Sequence, residues 1–234
     1  MKAKSAVAPA SSNVAAPEKD DPFAGVVAAL EEDIVFGRLH PRERLIEDEL
    51  MQRFGIKRYV VREVLAALDR MGLIERRRNV GALVRSFTSN EVAELYALRA
   101  LLETEAVRLI QLPVPDSSLE KLIAIQRKHD DAVLANSPPR VFRANLAFHQ
   151  ALFELTGNET LQHAIAEYAR QTHSIRFSAL VSSEYRERAR REHWQIIEAL
   201  RAGDREALVA LCAEHLPPSR DVYLTAQQHQ VEAA

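Results

Sequence analysis

Apolar residues recur along this chain at helical spacing from end to end. Val26, Val27, Leu30 and Ile34 predict an amphipathic helix ending at Gly37. Ile46, Leu50 and Phe54, four residues apart, predict a short helix stopped by Gly55. From Arg58 onward, Val61, Val64, Leu65, Leu68 and Met71 fall on the i, i+3, i+4, i+7 spacing of a buried helical face, which Gly72 ends. Leu73-Ile74-Glu75 and Ala82-Leu83-Val84 read as two short strands around a basic turn. Two short helices joined through a glycine turn and followed by a hairpin predict a winged helix-turn-helix.

After residue 88 the pattern changes to longer amphipathic helices. Six are predicted, over 90–110, 117–136, 140–156, 159 to about 181, 184–202, and from Asp204 (as N-cap) onward. Leu112-Pro-Val-Pro-Asp116, Ser137-Pro-Pro139, Gly157 and Gly203 supply breaks, and Pro217-Pro218 predicts a bend in the last helix. The fold class is therefore mainly α, an N-terminal winged helix-turn-helix followed by an all-helical bundle of about six helices. Residues 1–22, rich in Ala, Ser, Pro and charge, are expected as a disordered tail. The winged helix-turn-helix domain is expected over 23–87, the helical domain over 88–226, and a second tail over 227–234.

Charge sharpens the first half. Residues 36–87 hold 12 Lys/Arg against 7 Asp/Glu, a net of +5 in a chain of net −2, so the remainder carries −7. That asymmetry fits a nucleic-acid-binding module on an acidic body. Lys57, Arg58, Tyr59 and Arg62 start the face opposite the seam of the third helix. Arg58 and Arg62, at i and i+4, point the same way, and a guanidinium fork pairs with guanine edges or phosphates. Arg76, Arg77 and Arg78 lie in the hairpin turn before Gly81. The plainer alternative is a helical hairpin with solvated arginines. One cysteine, Cys212, excludes an internal disulfide and suits a reducing cytoplasm. No apolar run reaches the roughly 18 residues of a membrane span. Lys2 and Lys4 precede no apolar stretch, so no signal peptide is expected.

The run Gly37 to Arg85 resembles the winged helix-turn-helix of GntR-type bacterial regulators. Gly37, Leu39, Pro41, Leu45, Gly55, Arg58, Val61, Arg62, Glu63, Leu65, Gly72 and Gly81 fall on that pattern. Three positions depart from it: Arg42 replaces a glycine, Val60 a proline, and Lys57 the usual Ser or Thr cap of the recognition helix. Loss of that cap costs the helix about 1 kcal/mol. The second half resembles the FCD (FadR C-terminal type) domain through Tyr96-Ala-Leu-Arg99 with Leu102-Glu103, Asn145-Leu-Ala-Phe-His149, Glu192-His193-Trp194, and Ala213-Glu-His215.

By themselves, three histidines so spaced read as surface or hydrogen-bonded core residues. The resemblance implies a divalent metal, zinc or nickel, held by Asn145, His149, His193 and His215, with Asn145 standing where the family has aspartate. It implies Arg99 as an effector-binding residue, for which a salt bridge to Glu103 at i+4 is the alternative. The function implied is a ligand-responsive transcriptional regulator, a repressor, that binds double-stranded operator DNA as a homodimer and is released by a small carboxylate metabolite. Two alternatives remain: a metal-free acyl-CoA sensor, and a metal-dependent helical-bundle enzyme. His129, His163 and His173 match no motif and are expected as surface or structural residues.

Overall fold

A computed structural model describes residues 22–232, with side chains over 23–225; the tail expected at 1–22 lies almost wholly outside these. The N-terminal unit comprises α1 (Pro22–Val35), β1 (Arg44–Leu45), α2 (Glu47–Phe54), α3 (Arg58–Arg70), β2 (Ile74–Arg77) and β3 (Gly81–Val84). The three strands form an antiparallel sheet in the order β1-β3-β2, with Ile74 opposite Val84 and Arg44 opposite Leu83. The seam read from the sequence is the core: Leu30, Val64 and Leu68 are fully buried, packed with Leu50, Ile74 and Val84. Burial of such aliphatic side chains contributes about 1.5–3 kcal/mol each and fixes how α3 sits on α1 and α2. Gly55 closes α2 in the left-handed conformation.

The C-terminal unit contains eight helical segments among the described residues. They are α4 (Ser89–Leu109), α5 (Asp116–Leu134), α6 (Pro138–Glu154), α7 (Glu159–Gln171), α8 (His173–Leu180), α9 (Ser183–Ala202), α10 (Arg205–His215) and α11 (Pro217–Glu232). Two of the six expected helices are divided. The fourth breaks at Thr172, whose hydroxyl bonds back to the Ala169 carbonyl at 2.8 Å. The last restarts as α11 at Pro217, where the proline pair predicted a bend. There Tyr96 Oη and Ser219 Oγ, 2.8 Å apart, pin the new helix to α4. α11 runs to Glu232, past the domain end expected at 226, so the expected tail is helical up to that residue.

Local signals explain most boundaries. Thr88 and Glu91 form a reciprocal capping box at the start of α4, and Asp204 Oδ1 accepts from the Ala207 amide at 2.9 Å. The buried Arg186 guanidinium donates to the Leu180 and Val181 carbonyls at 2.6 and 2.9 Å, satisfying the end of α8. Phe148, Leu152, Ile197 and Leu200 centre the main core, where Cys212 lies as a buried thiol whose pKa burial pushes well up.

The two units meet along α1. Val35 and Phe36 pack with Val141, Phe142, Phe177 and Leu180, and the Phe36 ring stands 4.8 Å from that of Phe177. Arg143 pairs with Glu32 at 2.6 Å. Gly72 marks a second point of approach. Its φ is +71°, and a Cβ there would sit 2.9 Å from Cγ of Gln171 at the end of α7.

Candidate functional site

α3 places its basic start at the surface. Lys57 occupies the N-cap position in extended geometry without a side-chain cap bond, as its residue type dictates. Arg58 and Arg62 are half-exposed and tied to the acidic first turn of α2. Arg62 Nε donates to Glu47 Oε1 at 3.1 Å, and Arg58 pairs with Asp48 and lies 3.7 Å from Glu47. Tyr59 is 63% exposed. Across a groove from this turn, Arg76, Arg77 and Arg78 project from the wing, with Arg77 bonded to Glu75 at 2.7 Å. Gly81 takes φ +102°, a backbone conformation that L side chains rarely adopt, and the Arg44 guanidinium lies beside it. Arg44 went unnoticed in the sequence because it sits on β1, a strand too short to show a period.

In the bundle, His149 on α6, His193 on α9 and His215 at the end of α10 converge. One ring nitrogen from each lies within 4.8 Å of the others, and all three residues are buried. His149 Nε2 and His215 Nε2 stand 3.1 Å apart. His215 Nδ1 bonds to Glu192 Oε2 at 2.7 Å, and His193 Nδ1 to Gln126 Oε1 at 2.8 Å. Both acceptors place the proton on Nδ1, so the Nε2 lone pairs of His193 and His215 face the common space. His193 Nε2 is buried with no partner among the described residues. Burial holds the pKa values of His149 and His193 well below the ordinary value, keeping both neutral as ligands require. Asn145 is buried one turn before His149 on α6. These residues fit a borderline divalent ion, for which three imidazoles are a suitable donor set.

Sequence reasoning missed three members of this cluster. Gln126 orients His193. Glu192 orients His215 and is also bonded by Arg188 at 2.5 Å, so a carboxylate does adjoin the histidines, but its oxygens are engaged. Burial raises the Glu192 pKa, but the His215 and Arg188 hydrogen bonds outweigh it and hold the carboxyl below its ordinary value. His129 is fully buried with its ring 4.9 Å from that of His193, and burial pushes its pKa down to about 4. The signal for Gln126 and His129 was present: both sit in the apolar seam of α5, between Leu122 and Val133.

A cavity of about 390 Å³ adjoins the cluster, with His149 in its wall. Arg99 lines it, 1% exposed, and makes the ion pair that was its alternative reading. Its Nε donates to Glu103 Oε1 at 2.8 Å, the i+4 ion pair, and Nη1 donates to Thr172 Oγ1 at 2.9 Å. Arg176 and His173, both buried on α8, face the same cavity. Burial pulls the Arg176 pKa down, and the charge of Arg99 adds to this. His163 is exposed at the rim.

Comparison with known proteins gives two matches along the chain. Residues 23–84 match the family described as bacterial regulatory proteins, gntR family, and residues 94–217 the FCD domain. LutR, an HTH-type transcriptional regulator of Bacillus subtilis, is 28% identical over 208 residues, covering 80% of this chain and 94% of that protein. RspR, an HTH-type transcriptional repressor of Escherichia coli, is 26% identical over 195 residues, covering 80% and 82%. Among solved structures, a GntR regulator from Rhodococcus sp. RHA1 superposes with a TM-score of 0.75 at 22% identity, covering 87% of this chain and 98% of that one. E. coli McbR/YncC also gives 0.75, at 20% identity, covering 90% and 100%. No helix among the described residues is long and apolar enough to cross a membrane.

Proposed function

This chain belongs to the gntR family of bacterial regulatory proteins, in its FCD-domain branch, and on that premise we propose that it is an effector-responsive repressor. Its homologues are transcriptional regulators, not enzymes, which removes the metal-dependent enzyme from consideration. In this reading the protein binds operator DNA as a homodimer, since one recognition helix of this size reads a half-site. Arg58 and Arg62 read base edges, Lys57 and Tyr59 contact the backbone, and Arg76, Arg77 and Arg78 with Gly81 form the wing contact. A small carboxylate metabolite entering the cavity releases it.

The observation that carries the reading is the shared position of α8. This helix walls the cavity beside the histidine cluster, and through Phe177 and Leu180 it packs on α1 of the DNA-binding unit. A ligand against α8 therefore has a direct path to the helix that braces α3, and it biases DNA binding by its differential affinity for the two states. A divalent ion held by His149, His193 and His215, with Asn145, would supply a fixed positive charge near the cavity. The histidine cluster favours this small-carboxylate site over an acyl-CoA site.

The test is anisotropy titration of a fragment carrying the protein's own promoter. Arg58→Ala and Arg62→Ala should each weaken operator binding by about 1–3 kcal/mol with unchanged melting temperatures. Wild-type affinity in both variants at moderate salt would refute the assignment of α3 as the reading helix.

A further inference from the structure

We infer that Arg176 is the guanidinium that seats the carboxylate of the effector, and that Arg99 holds the cavity wall rather than the ligand. The inference deepens the reading of an effector-responsive regulator and rests on it. Its ligand is a short organic acid bound inside the cavity.

Three arginines line the cavity; Arg170, 42% exposed, lies 3.8 Å from Glu31, and the two buried ones differ in what they already hold. Arg99 is largely committed: Nε donates to Glu103 Oε1 at 2.8 Å and Nη1 to the Thr172 hydroxyl at 2.9 Å, while the buried Nη2 lies 2.8 Å from the same Glu103 oxygen without a hydrogen bond of its own. Arg176 is 5% exposed and makes neither an ion pair nor a hydrogen bond with any described residue. Among the buried Arg, Lys, Asp and Glu side chains that line the cavity, two guanidiniums thus stand against the single carboxylate of Glu103. An unpaired buried cation is strongly unfavourable unless an anion joins it. A cavity that leaves one guanidinium unmatched is built to receive that anion from outside, and a carboxylate fits its fork in two parallel bonds.

The walls limit the rest of the ligand. Phe153, Ile165 and Ala166 offer apolar contact, while Gln150 and Gln162 offer hydrogen bonds. A volume of about 390 Å³ suits a short acid with polar substituents. Arg176 also stands on α8, one turn after His173, whose Nδ1 is 3.7 Å from Glu31 of α1. Filling the Arg176 fork thus acts on the element that touches the DNA-binding unit.

The test compares wild type, Arg176→Met and Arg176→Lys in thermal melts with 100 mM acetate or lactate against chloride of equal ionic strength. Wild type should melt about 3 °C or more higher in at least one acid, the size expected for a site about ten-fold above its dissociation constant. Arg176→Met should melt at or above wild type in chloride, because it removes an unmatched buried charge, and should show no shift with either acid. Arg176→Lys should keep part of the shift, and it decides the matter if the methionine variant does not fold. No shift in wild type, an undiminished shift in Arg176→Met, or loss of the shift in Arg99→Met but not in Arg176→Met would each overturn the assignment. Operator anisotropy separates the two levels. Acid binding through Arg176 that leaves DNA binding unchanged would refute the regulatory reading alone, whereas operator release by acid that persists in Arg176→Met would refute the Arg176 assignment alone.

Discussion

Glu103→Gln isolates the electrostatic centre of the helical domain. The carboxylate is 2% exposed and lies 2.8 Å from Arg99, and it is also the opposite charge that most favours the charged form of Arg176. Glutamine keeps the size and an acceptor for Arg99 Nε but removes the charge, leaving two buried guanidiniums with no counter-charge between them. Breaking a buried pair from one side costs about 3–5 kcal/mol. At about 2–4 °C per kcal/mol for a chain of this size, the helical-domain transition should fall by about 6–20 °C. The double variant Arg99→Met/Glu103→Leu should recover much of this loss, since it replaces the pair by apolar groups of similar volume. Melting should be followed by circular dichroism, with Trp194 fluorescence isolating the helical domain. A Glu103→Gln protein within 2 °C of wild type, or a double variant no better than the single, would show that Glu103 does not carry this balance.

Metal dependence is checked by His193→Ala, which should melt lower than wild type in added zinc or nickel and lose the effect of a chelator. Asn145→Asp should raise metal affinity, because a charged oxygen joins the neutral set; equal wild-type melting with and without chelator would sink the site. Acid sensitivity should arise at His173, whose pKa burial lowers from 6.5 to about 4 against the opposing pull of Glu31. A base with a depressed folded pKa contributes fully above the unfolded value, so this stability is present above pH 6.5 and lost as pH falls toward 4. The contribution is about 3 kcal/mol at most, and His173→Gln should reduce the slope of the melting profile across that window, the rest coming from His129, His149 and His193, which burial also lowers.

Much of this architecture could be read from residue spacing. The α3 seam, the Gly55 and Gly72 stops and the Asp204 cap act within a few residues of themselves, so the chain declares them locally. The break at Thr172 was not legible, because no glycine or proline marks it. Threonine interrupts the helix there with its hydroxyl turned back on Ala169 while accepting from Arg99, 73 residues away in sequence. The same dependence on distant partners hid the difference between Arg99 and Arg176. The i+4 spacing of Arg99 and Glu103 is visible in sequence, but that Arg176 reaches the same cavity with no acid of its own is not. Gln126 and His129 were legible only as polar residues in an apolar stripe, and their meaning came from the α9 histidine packed on them.

In the proposed reading, the ion pairs joining Arg58 and Arg62 to Glu47 and Asp48 would make DNA recognition an exchange of partners. To engage DNA, each arginine must leave a carboxylate on α2, and that carboxylate then stands near phosphate of the same sign. The chain thus carries a tethered competitor for its own reading helix. On unmatched sequence the arginines can remain with their carboxylates, and only a well-placed guanine edge repays the swap. Salt should expose this, because added ions weaken the competitor along with the phosphate contacts. The slope of log affinity against log salt should be shallower than the roughly −0.9 per neutralised phosphate that the backbone contacts alone would give. Discrimination by this helix then depends as much on the acids that restrain it as on the bases that it touches.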